Sequence, residues 1–249
     1  TDWRGVYKGR SRILLKPKST NEVSDILRYC NSHQIFVVPQ AGNTGLVGGS
    51  VPISNEVIVS VKSMNTIHDL SPDGILQCDA GCILQDLQTF AASQHHLVPV
   101  DLGAKGSCCI GGNVSTNAGG QYYYRYGSLH ANVLGLQVVL PDGRILDTMQ
   151  HGINLKDNTG YDLKHLFIGA EGTLGIITKV ALQCPPLPQA RNAVFLACHS
   201  YQNVQETLQL AKRMLGEVLA AFEYMDEAVL KLVSQVKTIP IQPNNGSNF

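Results

Sequence analysis

The sequence predicts an α+β protein with at least two parts, on three observations. Strand-like and helix-like segments alternate along most of the chain. Three glycine-rich segments each lie next to a predicted strand. A proline-rich stretch over 184–188 then divides a longer first part from a shorter second part, because proline interrupts both sheet and helix.

The first elements form a predicted βαβ unit. Residues 11–15 are typical of a short strand, and Ser19-Thr20 supplies a cap for an amphipathic helix from Glu22 to Cys30. A second strand is predicted over 35–38. The first glycine segment, residues 39–49, follows directly and is too rich in glycine for a regular element. This composition indicates that a ligand approaches the backbone here.

Strands are predicted over 57–61 and 75–78. A helix is predicted over 84–94, because its apolar residues recur at helical spacing. The second glycine segment, residues 103–120, is expected to be a loop. In the helix predicted over 84–94, the apolar face consists of Leu84, Leu87, Phe90 and Ala91.

A β-hairpin is predicted next, with strands over 133–140 and 145–147 joined by the Pro-Asp-Gly-Arg turn at 141–144. The third glycine segment, residues 169–175, leads into a strand over 176–183. Beyond the prolines the pattern is typical of the opening of an α+β sandwich, and two strands do not complete such a sheet. Its predicted elements are strand 193–197, helix 204–215, strand 220–224 and helix 226–236.

Composition and charge exclude several functional classes. Lys plus Arg and Asp plus Glu both number 19, so the net charge is zero and no basic face for nucleic acid is indicated. No apolar run reaches about 18 residues, so no membrane span is expected. The seven cysteines contain no CxxC pair and the eight histidines show no ligand spacing. We therefore expect neither a disulfide framework nor a metal site in this chain.

The glycine segments predict a nucleotide site of an uncommon kind. Glycine lets consecutive backbone N–H groups turn toward a ligand, and such loops commonly bind phosphate oxygens. Neither GxGxxG nor GxxxxGK[ST] occurs, which excludes the Rossmann and P-loop motifs. Small polar residues in or beside these segments add hydrogen-bond donors without charge, which suits a pyrophosphate. They are Asn43, Thr44, Ser50, Ser107, Asn113, Ser115, Thr116 and Asn117.

Three motifs lie in and beside the glycine segments. They are Pro-Gln-Ala-Gly-Asn-Thr-Gly at 39–45, Leu-Gly-Ala-Lys-Gly-Ser at 102–107 with Ile-Gly-Gly-Asn-Val-Ser-Thr-Asn-Ala-Gly-Gly at 110–120, and Phe-Ile-Gly-Ala-Glu-Gly-Thr-Leu-Gly-Ile-Ile-Thr at 167–178. Together they resemble the FAD-binding segments of the vanillyl-alcohol-oxidase-type flavoproteins. The resemblance extends over nearly the whole chain, and within that superfamily the chain looks most like the D-2-hydroxyglutarate dehydrogenase family, with D-lactate dehydrogenases as near relatives.

The resemblance implies a PCMH-type FAD-binding domain of two α+β subdomains at 1–186, followed by an incomplete α+β substrate (cap) domain at 187–249. It implies that the loop over 42–49 holds the FAD diphosphate, while the second glycine segment wraps the isoalloxazine and ribityl parts. Asn43 stands where members with covalent flavin often carry histidine, so non-covalent FAD is expected. The expected cofactor-binding residues are Pro39, Gly42, Asn43, Thr44, Gly45, Leu46, Gly48, Gly49, Ser50, Leu102, Gly103, Ser107, Ile110, Gly111, Gly112, Asn113, Thr116, Asn117, Gly119, Gly120, Gly127, Glu171, Gly172, Gly175, Ile176 and Ile177.

The activity implied by the resemblance is oxidation of a D-2-hydroxyacid, D-2-hydroxyglutarate to 2-oxoglutarate, by hydride transfer to FAD. An electron-transfer protein or a quinone is the expected acceptor, and the mitochondrial matrix the expected location. The catalytic residues and a divalent metal are expected beyond Phe249, so this chain alone is expected to be inactive. Alternatives are a shortened form that only binds flavin, or an enzyme acting on lactate, glycolate or an alkyl-glycerone phosphate.

Four positions have both a functional and a purely structural interpretation. Glu171 could accept a hydrogen bond from a ribose or cap a turn. Arg125, after three tyrosines, could face the flavin or an anionic substrate, or lie over tyrosine rings. His130 is a candidate acid or base, although a structural histidine is favoured. Adjacent Cys108 and Cys109 are expected to be packing residues rather than a redox pair.

Overall fold

The computed structural model describes residues 1–236 of the 249-residue chain. It divides into two compact units, Thr1–Val194 and a second unit that begins at Phe195. The first unit contains two β-sheets and five short helices, α1 to α5, and these elements position the three glycine segments. No helix within the described range is long and apolar enough to span a membrane.

The first sheet has three parallel strands. Strand β1 (Leu14–Leu15) leads into helix α1 (Thr20–Ser32), which is followed by β2 (Val37–Gln40) and β3 (Val57–Ser60). The strand order is β1-β3-β2, so the two strands of the predicted βαβ unit flank β3 and do not pair with each other. Strand β1 is shorter than the strand predicted over 11–15.

Helix α1 begins at the predicted cap. The Ser19 hydroxyl accepts a hydrogen bond from the Glu22 backbone N–H at 3.2 Å, and the Glu22 carboxylate accepts one from the Lys18 N–H at 2.8 Å. These bonds satisfy N–H groups that have no partner inside a helix. After the helix, the Ile35 N–H still donates to the Cys30 carbonyl at 2.8 Å. The chain is therefore still turning there, and β2 starts two residues later than predicted.

The second sheet has five strands. They are β4 (Ile67–Leu70), β5 (Ile75–Asp79), β6 (Val133–Val139), β7 (Ile145–Asp147) and β8 (Ile176–Gln183). The order is β4-β5-β8-β6-β7 and each neighbouring pair is antiparallel. The predicted β6–β7 hairpin and the predicted bounds of β8 are confirmed, whereas the short, half-polar β4 was not predicted.

The remaining helices of the first unit are short. Helix α2 (Leu84–Ser93) confirms the predicted helix, with Leu84, Leu87 and Ala91 buried and Phe90 half-buried. The others are α3 (Ile110–Ser115), α4 (Tyr123–Tyr126) and α5 (Leu129–Asn132), with 3-10 turns at Val61–Ser63 and Leu163–Leu166.

One hydrophobic core connects both sheets with the helices. It contains the fully buried side chains of Val59 in β3, Leu76 in β5, Leu84 in α2, Ile110 in α3 and Leu182 in β8. Burial of such side chains contributes about 1.5–3 kcal/mol each to folding. The elements that carry the glycine segments are therefore fixed to a single core.

The proline-rich stretch is held in place by backbone hydrogen bonds within the first unit. The Leu97 N–H donates to the Pro185 carbonyl at 2.8 Å, and the Leu187 N–H donates to the His95 carbonyl at 2.8 Å. Cys184 is buried. These two bonds hold the stretch against the chain that follows α2.

The second unit contains helices α6 (Tyr201–Leu215) and α7 (Glu227–Val236) and a 3-10 turn at Gly216–Val218. The two predicted helices are confirmed, and the strands predicted over 193–197 and 220–224 are wrong. An extended apolar segment forms a strand only when a neighbouring strand exchanges hydrogen bonds with it. No strand forms within residues 195–236, so neither segment has that partner.

Candidate functional site

The three glycine segments surround a cavity of about 590 Å³ in the first unit. Pockets for small molecules and cofactors usually measure about 300–1,000 Å³. Most of the cofactor-binding residues expected from the sequence lie on its wall. They are Pro39, Gly42, Asn43, Thr44, Gly45, Gly49, Ser50, Leu102, Gly103, Gly111, Gly112, Asn113, Thr116, Glu171, Gly172, Gly175, Ile176 and Ile177.

The remaining expected residues lie in the same segments or just beyond them but not on the wall. Asn117 is notable, because its side-chain Oδ1 is buried and has no hydrogen-bond partner among the described residues. Gly120 and Gly127 both have positive φ angles, 81° and 73°, and serve the turns of the chain. The full set off the wall is Leu46, Gly48, Ser107, Ile110, Asn117, Gly119, Gly120 and Gly127.

Helix α3 forms the central part of the second glycine segment, where a loop was predicted. The Ile110 N–H donates to the Cys82 carbonyl at 2.9 Å, and the Gly111 N–H donates to the Ala80 carbonyl at 2.8 Å. A Cβ on Gly111 would lie 2.5 Å from the Ala80 Cβ. These contacts explain why a helix forms where a loop was predicted. Glycine disfavours helix by about 1 kcal/mol, but here it permits the close approach that holds the helical turn.

Asn43 shapes the first glycine segment. Its φ angle is 55°, in the left-handed region that asparagine tolerates better than most residues. Its amide Nδ2 donates to the Thr1 carbonyl at 2.9 Å, and its Oδ1 accepts from the Ser50 hydroxyl at 2.7 Å. The side chain therefore closes the loop on itself.

The backbone N–H groups of the first glycine segment are available to a ligand. None of those from residue 42 to residue 49 donates to an acceptor within the described part of the chain. Gly42, Asn43, Thr44, Gly45 and Gly49 lie on the cavity wall. Successive free N–H groups around a left-handed residue form a concave site that binds anions. The segment can thus bind phosphate oxygens without a charged side chain.

Two kinds of glycine line the cavity. A Cβ on Gly42 would lie 2.4 Å from the Ser107 carbonyl oxygen, so glycine is required there by contact between the first and second segments. A Cβ on Gly45 or Gly103 would meet no protein atom within 4 Å, and neither has a positive φ angle. Protein packing does not require glycine at these two positions. The space in front of them fits a ligand that lies against bare backbone.

Glu171 is the only charged residue on the wall among residues 1–236. Its φ angle is 53°, and its backbone N–H donates to the Ser115 carbonyl at 2.8 Å, which joins the third segment to α3. One carboxylate oxygen, Oε2, would lie 3.3 Å from a Cβ on Gly49, so it faces the first segment. The carboxylate accepts no hydrogen bond from the described residues and does not cap the turn. It is available to a hydroxyl donor.

Cys108 and Cys109 are buried on the wall and are both free thiols. Burial raises the pKa of the Cys109 thiol to about 11, and burial also raises the pKa of Cys108. Both are therefore protonated at neutral pH and are poor nucleophiles. They act as small apolar wall residues, as the packing interpretation predicted.

Sequence reasoning missed several wall residues. Most of them lie within or beside the three glycine segments, between residues that were selected for their glycine or their polar groups. Val61 lies outside all three segments, directly after β3, and nothing local in the sequence marks it. The missed residues are Gln40, Ala41, Val47, Val61, Ala104, Cys108, Cys109 and Ala118. Ser115, which the sequence marked as a small polar donor, also lies on the wall.

Two other sequence candidates lie away from the cavity wall. Arg125 is exposed, with its Cζ 5.1 Å from the centre of the Tyr126 ring, as its surface interpretation describes. His130 Nδ1 lies 2.8 Å from His165 Nδ1, and the two rings are stacked. Burial lowers the pKa of His165. Residues 1–236 contain no group of three or more His, Cys, Asp or Glu side chains placed to hold a metal ion.

Fold and cavity together define a nucleotide-binding α+β domain. Residues 11–149 match the family model described as an FAD binding domain, and the chain belongs to this family. Solved structures of alkyldihydroxyacetonephosphate synthase share the fold, with a TM-score of 0.62 and 24% identity over 71% of this chain and 32% of that chain. The prediction of a PCMH-type FAD-binding fold is confirmed.

Curated relatives match the chain along nearly its whole length. It is 53% identical over 98% of its length to a probable mitochondrial D-2-hydroxyglutarate dehydrogenase of Oryza sativa subsp. indica, and 56% identical over 94% to the mitochondrial D-2-hydroxyglutarate dehydrogenase of Arabidopsis thaliana. It is 46% identical over 100% to a D-2-hydroxyglutarate–pyruvate transhydrogenase of Saccharomyces cerevisiae. The chain spans 44%, 42% and 50% of the lengths of these relatives, respectively.

Proposed function

We propose that this chain is the flavin-binding part of an FAD-dependent enzyme that oxidises D-2-hydroxyglutarate to 2-oxoglutarate. The observation that carries the proposal is the row of unpaired backbone N–H groups over 42–49 beside a cavity of about 590 Å³. Membership in the FAD binding domain family supports the cofactor. The names of the relatives from rice, Arabidopsis and yeast support the substrate.

The proposed cofactor contacts follow from the wall. The N–H groups over 42–49 would hold the diphosphate, and the wall over 102–104 with helix α3 would lie along the ribityl and isoalloxazine parts. Glu171 would accept a hydrogen bond from a ribose hydroxyl. Because no lysine or arginine lines the cavity, the diphosphate charge would be balanced by many backbone dipoles.

When bound, FAD would supply the acceptor for the C2 hydride of the hydroxyacid. The tasks of this chain's residues are to bind, orient and exclude water. Ile176 and Ile177, at the start of β8, and the protonated thiols of Cys108 and Cys109 give the wall an apolar part. We assign no proton-transferring residue within residues 1–236. In a protein as long as the relatives, that residue would lie outside this range.

We propose that residues 1–186 form the FAD-binding domain and that residues 187–249 begin a substrate domain. Several curated relatives are named mitochondrial, which supports the mitochondrial matrix as the location. The electron acceptor is proposed to be an electron-transfer protein or a quinone. The yeast relative is named for pyruvate, so small oxoacids are the alternative acceptors to assay.

The proposal is tested with the absorption spectrum of the purified chain after incubation with FAD and gel filtration. We expect a flavin band that stays with the protein and moves to the supernatant on acid precipitation, because the Asn43 amide provides no covalent attachment. A band that remained with the precipitate would refute non-covalent binding. Folded protein that takes up no FAD would refute the cofactor site.

The substrate is tested on a full-length protein that carries this chain. Under anaerobic conditions, D-2-hydroxyglutarate is expected to bleach the flavin band, with D-lactate and glycolate as comparison substrates. Faster bleaching by D-lactate would reassign the substrate while leaving the FAD site intact. Absence of bleaching by every hydroxyacid would support a protein that only binds flavin.

A further inference from the structure

Asp101 lies just outside the cavity, next to Leu102 on its wall, and is not a wall residue itself. Its side chain is only 11% exposed. The carboxylate accepts three side-chain hydrogen bonds: from Gln88 Nε2 at 3.0 Å and Lys105 Nζ at 3.2 Å to Oδ1, and from Gln121 Nε2 at 2.7 Å to Oδ2. One carboxylate therefore gathers three donors.

The three donors come from different parts of the chain. Gln88 is on helix α2 and also donates to the Val100 carbonyl at 3.0 Å, so it anchors the group to the core. Lys105 is near the beginning of the second glycine segment and Gln121 directly follows its end. Both ends of the segment thus converge on a single side chain that is attached to α2.

The backbone repeats this convergence. Asp101 and Gly120 form an isolated parallel β-bridge. A Cβ on Gly120 would lie 2.0 Å from the Asp101 carbonyl oxygen, and Gly120 has a φ angle of 81°. Only glycine fits this approach. The chain that enters the second glycine segment and the chain that leaves it are therefore held side by side at Asp101.

The group at this point has to be a carboxylate. Burial by itself would raise the pKa of Asp101, but the hydrogen bonds from Gln88, Gln121 and Lys105 and the charge of Lys105 together lower its pKa below the usual value. An ionised carboxylate only accepts hydrogen bonds, so both oxygens suit the three donors. Charge-assisted bonds of this kind are about twice as strong as neutral ones.

We propose that Asp101 is a positioning residue for the FAD site, which fixes the two ends of the second glycine segment and so presets the wall against which the flavin lies. The inference rests on the proposed function, since it assigns Asp101 a task in FAD binding. A preset wall binds more tightly because less conformational entropy is lost when the ligand arrives. Asp101 would act without touching the cofactor.

The test is Asp101→Asn, which keeps the size of the side chain but turns one acceptor into a donor. We expect the Kd for FAD, measured by flavin fluorescence, to rise about tenfold, an effect of about 1.4 kcal/mol, because the untied segment would lose more conformational entropy when the ligand binds. The melting temperature of the FAD-free chain should change by less than about 4 °C. The matched control is Asp73→Asn, in the exposed turn between β4 and β5, which should change neither.

Two further measurements separate positioning from general structural support. Gln121→Ala should weaken FAD binding less than Asp101→Asn, and the double variant should be no weaker than Asp101→Asn alone, because both remove the same tie. Amide hydrogen exchange of the FAD-free chain should accelerate over 102–121 in Asp101→Asn and stay unchanged in α1 and β8.

The outcomes are distinguishable. Wild-type chain that takes up no FAD refutes the proposed cofactor site, while exchange over 102–121 still decides whether Asp101 ties the segment. Wild-type chain that binds FAD, with an unchanged Kd in Asp101→Asn, overturns the inference. Accelerated exchange throughout the first unit, with a matching loss of melting temperature, also overturns it, because Asp101 would then support the fold as a whole.

Discussion

At the scale of single residues, the glycines of the wall do different work although they look alike in sequence. Gly42 and Gly111 are required because backbone or a neighbouring side chain lies within 2.4–2.5 Å of where a Cβ would be. Gly45 and Gly103 face open space on the cavity wall. The first kind supports the fold, and the second kind leaves open space that the proposed cofactor would occupy.

This difference predicts opposite effects on folding and binding. Gly45→Ala and Gly103→Ala should raise the free energy of unfolding by about 0.4–1 kcal/mol, since alanine reduces the entropy of the unfolded chain. The same variants should weaken FAD binding by about tenfold, an effect of about 1.4 kcal/mol, because the added methyl group enters the cavity. Denaturant unfolding and a fluorescence titration with FAD measure the two quantities.

The matched control is Gly160→Ala. Gly160 is exposed, lies off the wall and has the same open space around it, so it should gain stability without any change in FAD affinity. Gly42→Ala should instead lose about 1–3 kcal/mol of stability through overpacking. If Gly45→Ala bound FAD as tightly as the control, the assignment of that wall position to the cofactor would be wrong.

At the scale of elements, β8 determines the integrity of the site. It is the central strand of the five-stranded sheet, with β5 and β6 on its two sides, and its first residues, Ile176 and Ile177, lie on the cavity wall. Its predicted bounds were correct because a segment rich in β-branched residues that follows a glycine turn favours a strand. Helix α3 was missed for the opposite reason, since its glycines disfavour helix locally.

Leu182→Ala tests the role of β8. Leu182 is fully buried and pairs in register with Leu76 on β5 and Val133 on β6. Removing its side chain should lower the free energy of unfolding by about 2–5 kcal/mol, measured from the urea midpoint. FAD affinity of the folded protein should stay nearly constant, because Leu182 lies about 20 Å along the strand from Ile176.

Leu155→Ala serves as the comparison for Leu182→Ala. Leu155 is 50% exposed, and its truncation should change stability by less than about 0.5 kcal/mol. Equal losses in the two variants would contradict the assignment of β8 to the core. A large loss of FAD affinity in folded Leu182→Ala would mean that the strand transmits distortion to the wall.

At the scale of the whole molecule, the first unit combines a single core with a cavity. Among residues 1–236, its wall contains one acidic residue, Glu171, and no lysine or arginine. The chain has no net charge, so its overall charge supplies no long-range attraction for an anionic cofactor. In the proposed site, the N–H groups of the first glycine segment would bind the anionic part of the cofactor. The second unit, described by itself, has two amphipathic helices and no strand within residues 195–236.

Thiol labelling reports on the whole fold. All seven cysteines are free, and Cys198 is the one that is exposed. Burial raises the pKa of Cys109 to about 11 and that of Cys184 to about 12, so at pH 8 both buried thiols are neutral as well as inaccessible. The native chain should react with about one equivalent of a thiol reagent at pH 8, and the unfolded chain with all seven.

The expected product is a single adduct at Cys198, located by peptide mass spectrometry. Cys198→Ser should leave native protein that does not react, and it provides the control for this experiment. Prompt labelling of Cys108 or Cys109 in the native chain would show that the cavity wall opens, which would contradict the closed packing of α3 against residues 80–82.

The residue order was enough to predict the α+β class, the Ser19 cap, the β6–β7 hairpin, the bounds of β8 and, through a resemblance, FAD as the cofactor. These features depend on local patterns, in which neighbours along the chain carry the information. Local pattern could not show which glycines face open space, that Val61 and Cys109 join the wall, or that the predicted strands over 193–197 and 220–224 do not form.

Those points depend on tertiary contacts, because each one requires segments that are distant in sequence to meet in space. Gly42 is constrained by Ser107, and Glu171 faces Gly49. Asp101 accepts hydrogen bonds from Gln88, which precedes the second glycine segment, and from Gln121, which follows it. A strand, likewise, exists only where a partner exchanges hydrogen bonds with it. The motifs indicated the kind of ligand that the site binds, and long-range contacts fix the geometry of the site.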